Sequence, residues 1–431
     1  MTDASNQPHD HHVTSAANEI LVATPHVDLV ENTLRVLGIG EEPVKEDSPF
    51  LGLTRLTFSD NLLTDEVRKR QSPRWKTTEI RTPEEDPVGM LITAIKESIA
   101  NEWANWVPTI GRNRLVGHVT GTNGGPIISG DDPQVIPRPD EFKRQDWADL
   151  EPAGEDGKRK LRPGVGVRVG IVDTALRDHP WLNGARILPQ PVPLRTDSSN
   201  MLRAAHGTAI AGVVLQRATG IKVDLEGALD VEGYTTSWEA ANAIGSFALS
   251  GIDILNLSFT CYTTDGLPPL ALATAIDRLD PRIVVVAAAG NYADFNERYG
   301  IDFSKSPAWP AALDDVVAVG AATKAGNGWT TATFSPKAPW VDIVAPGVRV
   351  PSLLIGKGPG VTGDPGGRLP DEPSYAEWSG TSLATAIVTG TIAKNMVHTL
   401  NDDKSAISAW KELFDGLQKL QDGPYSPRLL T

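Results

Sequence analysis

Cys261 is the only cysteine in 431 residues, so the chain cannot close a disulfide on itself, which argues against a stapled secreted scaffold and fits a reducing compartment. Nothing around Cys261 resembles the setting of a catalytic thiol, and a buried spectator is the expected role. Long apolar runs are missing too. The best, Ile283 to Ala289 with its small neighbours, falls well short of the roughly 20 residues a membrane-crossing helix needs. The first eighteen residues, MTDASNQPHDHHVTSAAN, have neither the basic start nor the apolar core of an export signal. These absences lead to the expectation of a soluble, cytoplasmic protein with no membrane partner. Basic charge is also short: 40 Lys and Arg stand against 54 Asp and Glu, a formal net charge of −14. A nucleic acid would meet a repulsive field, and none is expected as a partner.

What remains is enough to build cores. Apolar residues make up 40% of the chain, and its length suits more than one domain. Residues 1–18 read as a disordered tail, and its His9, His11 and His12 suit a flexible polar segment better than a metal site. Residues 19–121 read as a small α+β domain. Ile20 to Ala23 and Leu51 to Phe58 suit strands, Asp28 to Leu37 suits a helix, and Leu115 to Thr120 adds a strand. Pro87 to Val107 reads as a helix because Val88, Leu91, Ile92, Ile95, Ile99 and Trp103 recur at three- and four-residue steps. Residues 122–163, charged and proline-containing from Asp131 to Pro163, read as a linker.

The texture changes at Gly164. Val165 to Val172, Ile252 to Leu257, Arg282 to Ala288, Val316 to Gly320 and Val341 to Val344 are short, continuously apolar β-rich runs, as expected of parallel strands buried on both faces. Helical patterns at Thr208 to Ala218, Ser237 to Ser250 and Pro268 to Leu279 separate several of them. The fold class is therefore α/β, a mainly parallel sheet flanked by helices over residues 164–400, with a helical extension at 401–431.

Four residues then stand out. Asp173 closes an apolar strand, where sites collect in open α/β sheets, although strand-end aspartates also serve as caps. His206, in AAHGTAIAGVVL, opens a helix of small apolar residues and is either an imidazole delivered from a rigid element or a packed histidine. Ser382, in EWSGTSLATAIVTG, sits at a positive helix end, where it can be a nucleophile or a cap. Asn291 follows IVVVAAAG, and its amide suits a developing oxyanion, as it also suits a turn.

The order Asp, His, Ser with these local sequences matches one known arrangement of a convergent triad. At the VDT, HGT, AAGN and GTS motifs, and along TFSPKAPWVDIVAPG, the sequence resembles the subtilisin-like serine protease (subtilase) family over approximately Gly164 to Leu400. The resemblance implies a serine endopeptidase acting on proteins or peptides through an acyl-enzyme. Asp173, His206 and Ser382 would form its triad, with Asn291 as an oxyanion donor. It also implies strand addition of an extended substrate along Ser258, Phe259 and Thr260, with the segment around Gly233 and Tyr234 as a looser opposite edge. Ala287 to Gly290, including Ala288 and Ala289, would line the pocket for the residue before the cleaved bond. Ala175, Thr260 and Ala386 depart from glycine, glycine and proline; Thr260 is expected to narrow that pocket. Many family members bind structural calcium, but no oxygen-rich loop of EF-hand type is present here, and no metal or cofactor is assigned. Gly356 to Pro373, Gly/Pro-rich, reads as a lid or a neutral insertion. By position, residues 19–121 suit a prodomain or an attached regulatory domain that meets a partner. The rival to an enzyme is a catalytically silent module that only binds peptides.

Overall fold

The computed structural model describes residues 15–40, 42–59, 87–118, 134–142, 147, 149, 160–190, 201–263, 265–291, 305–355, 374–396, 398–399, 402–403 and 405–431. The histidines of the tail and the segment from Gly356 to Pro373 lie outside these residues. Among the described residues no helix is long and apolar enough to cross a membrane.

The larger domain is a parallel sheet. Its strands include β6 (Arg168–Thr174), β7 (Ile187–Leu188), β8 (Lys222–Leu229), β10 (Ile254–Leu257), β12 (Val284–Ala288), β13 (Val316–Ala325) and β15 (Ile343–Pro346). A terminal strand, Arg428–Leu429, completes the edge beside β15, and β14 (Gly328–Thr331) turns back on β13. Continuous apolar sequence is explained by burial on both faces. Every residue of β10 and β12 is buried. Alternate residues face different cores, as the period of two requires. Ile254, Val286 and Val319 meet the helices α3 (His206–Arg217) and α6 (Thr381–Asn395). Leu255, Val285 and Ala318 meet α4 (Ser237–Ser246) and α5 (Leu270–Asp277). From β6 the chain builds toward β8 on one side and, from β10, toward β12, β13 and β15 on the other. The order therefore reverses between β6 and β10, and the crevice beyond their carboxyl ends is where such a sheet can hold a site.

The amino-terminal domain is antiparallel. Its sheet runs β2 (Val44–Ser48), β3 (Leu53–Thr57), β1 (Ser15–Ala23), β4 (Ile110–His118). Ile20 and Val22 face its own helices α1 (Val27–Val36) and α2 (Pro87–Glu102), alongside Leu34, Leu91 and Ile95. Leu21, on the opposite face, joins Leu51, Leu53 and Val116 against Trp238, Ala241 and Ile244 of α4. That second buried face is why Ile20 to Ala23 of β1 is an uninterrupted apolar run rather than an alternation.

Polar groups complete the junction between the two domains. Arg55 pairs with Glu239 of α4 at 2.6 Å, and Ser48 Oγ donates to Asn242 Oδ1 at 2.6 Å. Asn113 is fully buried: its Oδ1 accepts from Ser237 Oγ at 3.0 Å and from Trp238 N at 2.9 Å, while its Nδ2 donates to Glu19 at 2.6 Å. A side chain of β4 thus satisfies a backbone donor in the first turn of a helix in the other domain.

Two stretches do more than the sequence reading assigned to them. Within residues 122–163, taken as a linker, β5 (Gln134–Ile136) pairs with β17 (Ser374–Trp378), itself paired with β16 (Val350–Leu354). Phe142 enters the larger core, where it meets Trp181, and Trp147 packs on Trp181 as well. Within residues 401–431, taken as helical, α7 (Ala406–Gly416) is followed by the strand that closes the sheet edge. Both are short and were hidden by polar neighbours.

Replacing Asn113 with Ala leaves the Ser237 hydroxyl and the Trp238 amide without this acceptor. The expected cost is about 1–3 kcal/mol, read as a lower urea midpoint, with faster amide exchange at Trp238 and across β4.

Candidate active site

The crevice between β6 and β10 collects the four predicted residues from distant parts of the chain. Asp173 ends β6 and is fully buried. Its Oδ1 accepts from Thr174 N at 2.7 Å and lies 2.7 Å from His206 Nδ1. A carboxylate oxygen accepts, so His206 Nδ1 is the donor in this bond. His206 is likewise fully buried and opens α3.

The VDT and HGT motifs explain how strand and helix come this close. Thr174 Oγ1 accepts from Gly207 N at 2.9 Å, and Thr208 Oγ1 accepts from Arg177 N at 2.8 Å. A Cβ on residue 207 would stand 2.2 Å from the Thr174 carbonyl oxygen and 3.2 Å from Asp173 Oδ1. Backbone cannot yield there as a side chain would, so the position requires glycine. Ala175, where glycine was expected, rests against Gly227 of β8.

Ser382 is the second residue of α6, whose early backbone amides lack helical acceptors. Its Oγ donates to the Ser258 carbonyl at 3.1 Å, and Ser258 Oγ returns a bond to the Ser382 carbonyl at 3.3 Å. Behind this pair, Asn256 Nδ2 donates to Ser258 Oγ at 2.9 Å and Thr389 Oγ1 donates to Asn256 Oδ1 at 3.0 Å. All four residues are fully buried. This network ties α6 to the central strand, and sequence reasoning missed both Asn256 and Thr389. The available signal was an asparagine in the middle of the otherwise apolar strand ILNL. Helix α6 also lies directly on α3. A Cβ at Gly390 would come within 2.9 Å of the Val214 carbonyl oxygen.

Asn291 follows the end of β12. Its Oδ1 accepts from Thr381 N at 2.9 Å and from Thr381 Oγ1 at 3.0 Å, which fixes the amide with Nδ2 as its donor end. The fixing residue is the one directly before Ser382.

Ser258, Phe259 and Thr260 lie at the predicted edge. The strand β11 (Phe259–Thr260) pairs antiparallel with the end of β4, Phe259 opposite His118 and Thr260 opposite Gly117. On the other side of β4 stands β9 (Tyr234–Thr236), with Gly117 opposite Tyr234 and Leu115 opposite Thr236. The last residues of the amino-terminal domain therefore fill the track between the two edges as a middle strand. Arg114, itself buried, anchors it by a 2.7 Å bond to Asp265. Ala288 and Ala289, at the end of β12, are fully buried, and Gly290 after them has φ +98°. Burial pushes the Cys261 thiol up to about 12, so it stays protonated and inert. Among the described residues no group of three or more His, Cys, Asp or Glu side chains converges as metal ligands would.

Residues 164–410 match the model of the subtilase family. A thermophilic serine proteinase from Bacillus sp. (strain AK1) is 31% identical over 242 residues, covering 53% of this chain and 51% of that protein. Subtilisin Savinase from Lederbergia lenta is 31% identical over 244 residues, covering 53% of this chain and 76% of its own length. The chain spans about half the length of several curated relatives it matches, 51% of the proteinase above and 54% of an alkaline protease from Alkalihalobacillus alcalophilus. Among solved structures, fervidolysin from Fervidobacterium pennivorans, a keratinolytic enzyme related to subtilisin, is similar with a TM-score of 0.54 at 18% identity. That likeness covers 90% of this chain and 57% of the other, and is one of fold alone.

Exchanging Asn256 for Leu keeps the strand apolar but strips Thr389 and Ser258 of their shared partner. Chemical denaturation is expected to register a loss of about 1–3 kcal/mol.

Proposed function

The chain belongs to the subtilase family, and from that premise we propose that it is a serine endopeptidase with Ser382 as nucleophile, His206 as base and Asp173 as the residue that orients the base. The observation that carries this reading is the 2.7 Å bond between the fully buried Asp173 and His206, set in the crevice that also holds Ser382 and Asn291. His206 Nε2 takes the proton from Ser382 Oγ as the Oγ–C bond forms, then gives it to the leaving amine as the C–N bond breaks. Water repeats the sequence on the acyl-enzyme, with His206 again as base. Asp173 stabilises the imidazolium without taking its proton. Asn291 Nδ2 and the backbone N–H of Ser382 hold the oxyanion.

An extended peptide adds as a strand between Tyr234–Thr236 and Phe259–Thr260, held by backbone pairing. In this chain β4 occupies that track. The amino-terminal domain therefore acts as an internal inhibitor whose final strand mimics substrate, and the segment after His118 follows directly from that strand. We place the self-cleavage that would release the groove between His118 and Gly164.

Three measurements test these assignments. A fluorophosphonate should label the native protein on Ser382 and leave Ser382→Ala unlabelled; no labelling under any condition favours a module that only binds peptides. Asn291→Ala should keep labelling detectable while lowering kcat by about 10²–10³, the size seen for one oxyanion donor in subtilisin. Mass analysis of native protein should show cleavage between His118 and Gly164 that Ser382→Ala abolishes. An intact, active native chain would leave the domain as an attached regulator.

A further inference from the structure

Gly290, in the segment that the family resemblance assigns to the pocket for the side chain preceding the cleaved bond, is covered by a buried aromatic side chain. We propose that Tyr262 sets the specificity of the site by occupying this pocket, restricting it to Gly, Ala or Ser. The inference rests on the proteolytic reading above and adds to it the residue that selects substrate.

Strand alternation brings Tyr262 there. Phe259 and Cys261 point into the core shared with α4 and α5. Thr260 and Tyr262, offset by one, face the other way. A Cβ built on Gly290 would lie 1.9 Å from Tyr262 Oη, 3.1 Å from its Cζ and 3.5 Å from Ala308 Cβ. The phenol head therefore rests directly on the Gly290 backbone, one residue before the oxyanion donor. Only 3% of Tyr262 is exposed.

Its position is held from three directions. Cys261, directly before it, exchanges backbone bonds with Trp309 at 2.8 and 2.9 Å. The Thr260 side chain hydrogen-bonds the Tyr262 hydroxyl, and Thr260 Oγ1 donates to the Trp309 carbonyl at 3.4 Å. Trp309 Nε1 donates to Thr263 Oγ1 at 3.2 Å. Burial raises the phenol above its ordinary range, so the group stays neutral and acts by volume. Thr260, expected to narrow the pocket by its own bulk, acts as the hydrogen-bond support of the larger plug. Moving a clamped ring out of a close-packed site costs more than a small pocket gains from a large side chain.

The test uses the full-length protein and two peptidyl phosphonates that differ only in the side chain beside phosphorus, methyl or benzyl. Both must displace β4, so the ratio of their rates of reaction with Ser382 cancels that competition and reports the pocket. The methyl reagent is expected to react at least about tenfold faster, and Tyr262→Gly to reduce the ratio by about tenfold or more. Tyr262→Leu, which keeps the site apolar but withdraws the para position, should shift the ratio in the same direction and serves if the glycine variant does not fold. Equal rates in the native protein, or a ratio unchanged in a folded variant, would overturn the role of Tyr262 while leaving the proteolytic reading intact. No reaction with either reagent or with a simple fluorophosphonate would overturn both.

Discussion

The contact on which the site depends is the one between Asp173 and His206, because it places an ionisable pair where water does not reach either side chain. A buried carboxylate is costly unless its oxygens are used. Here one oxygen takes bonds from both Thr174 N and His206 Nδ1. That arrangement demands that the end of β6 and the start of α3 touch through backbone, which is why residue 207 has no side chain and why Thr174 and Thr208 cross-link the two elements. The motifs that look like chemistry are in large part the steric conditions for this one contact.

The second anchor works by the same logic from the other side of the crevice. Ser382 is held by reciprocal bonds to Ser258, and that pair by Asn256 and Thr389. A fully connected polar network inside a core fixes geometry in a way apolar packing does not, because every alternative leaves a buried group unpaired. Ser382 and His206, the proposed nucleophile and base, thus sit on separate helices, each locked to a neighbouring strand of the same sheet at the point where its order reverses.

How much of this could be read from sequence follows from how local each signal is. Asp173, His206, Asn291 and Ser382 each sit at a junction of elements, marked by a glycine or a change of texture within a few residues. The parallel sheet was legible because strands buried on both faces are written as unbroken apolar runs. Asn256 was not, since its meaning lies in Thr389, 133 residues away, and Asn113 was not, since it serves a helix 125 residues further on. The strand at Gln134–Ile136 is only three residues long and has no pattern of its own. Thr260 was recognised as a departure, but the residue whose position it supports could be identified only once strand alternation and the approach to Gly290 were seen in three dimensions.

The proposed inhibition by β4 and the proposed filling of the pocket by Tyr262 are separable. The strand β4 is held by backbone pairing with β9 and β11, by Asn113 at the start of α4, and by Arg114 on Asp265. None of these contacts uses the space that Tyr262 fills. Backbone pairing is indifferent to side chain, so inhibition by the chain's own strand asks nothing of the pocket, whereas a substrate in trans has neither Asn113 nor Arg114 to help it and must be accommodated there. Tethering raises the local concentration of β4 as well. On these proposals the same groove can be closed tightly by its own chain and still be selective toward others, because closure draws on anchors outside the pocket and selection draws on the volume within it.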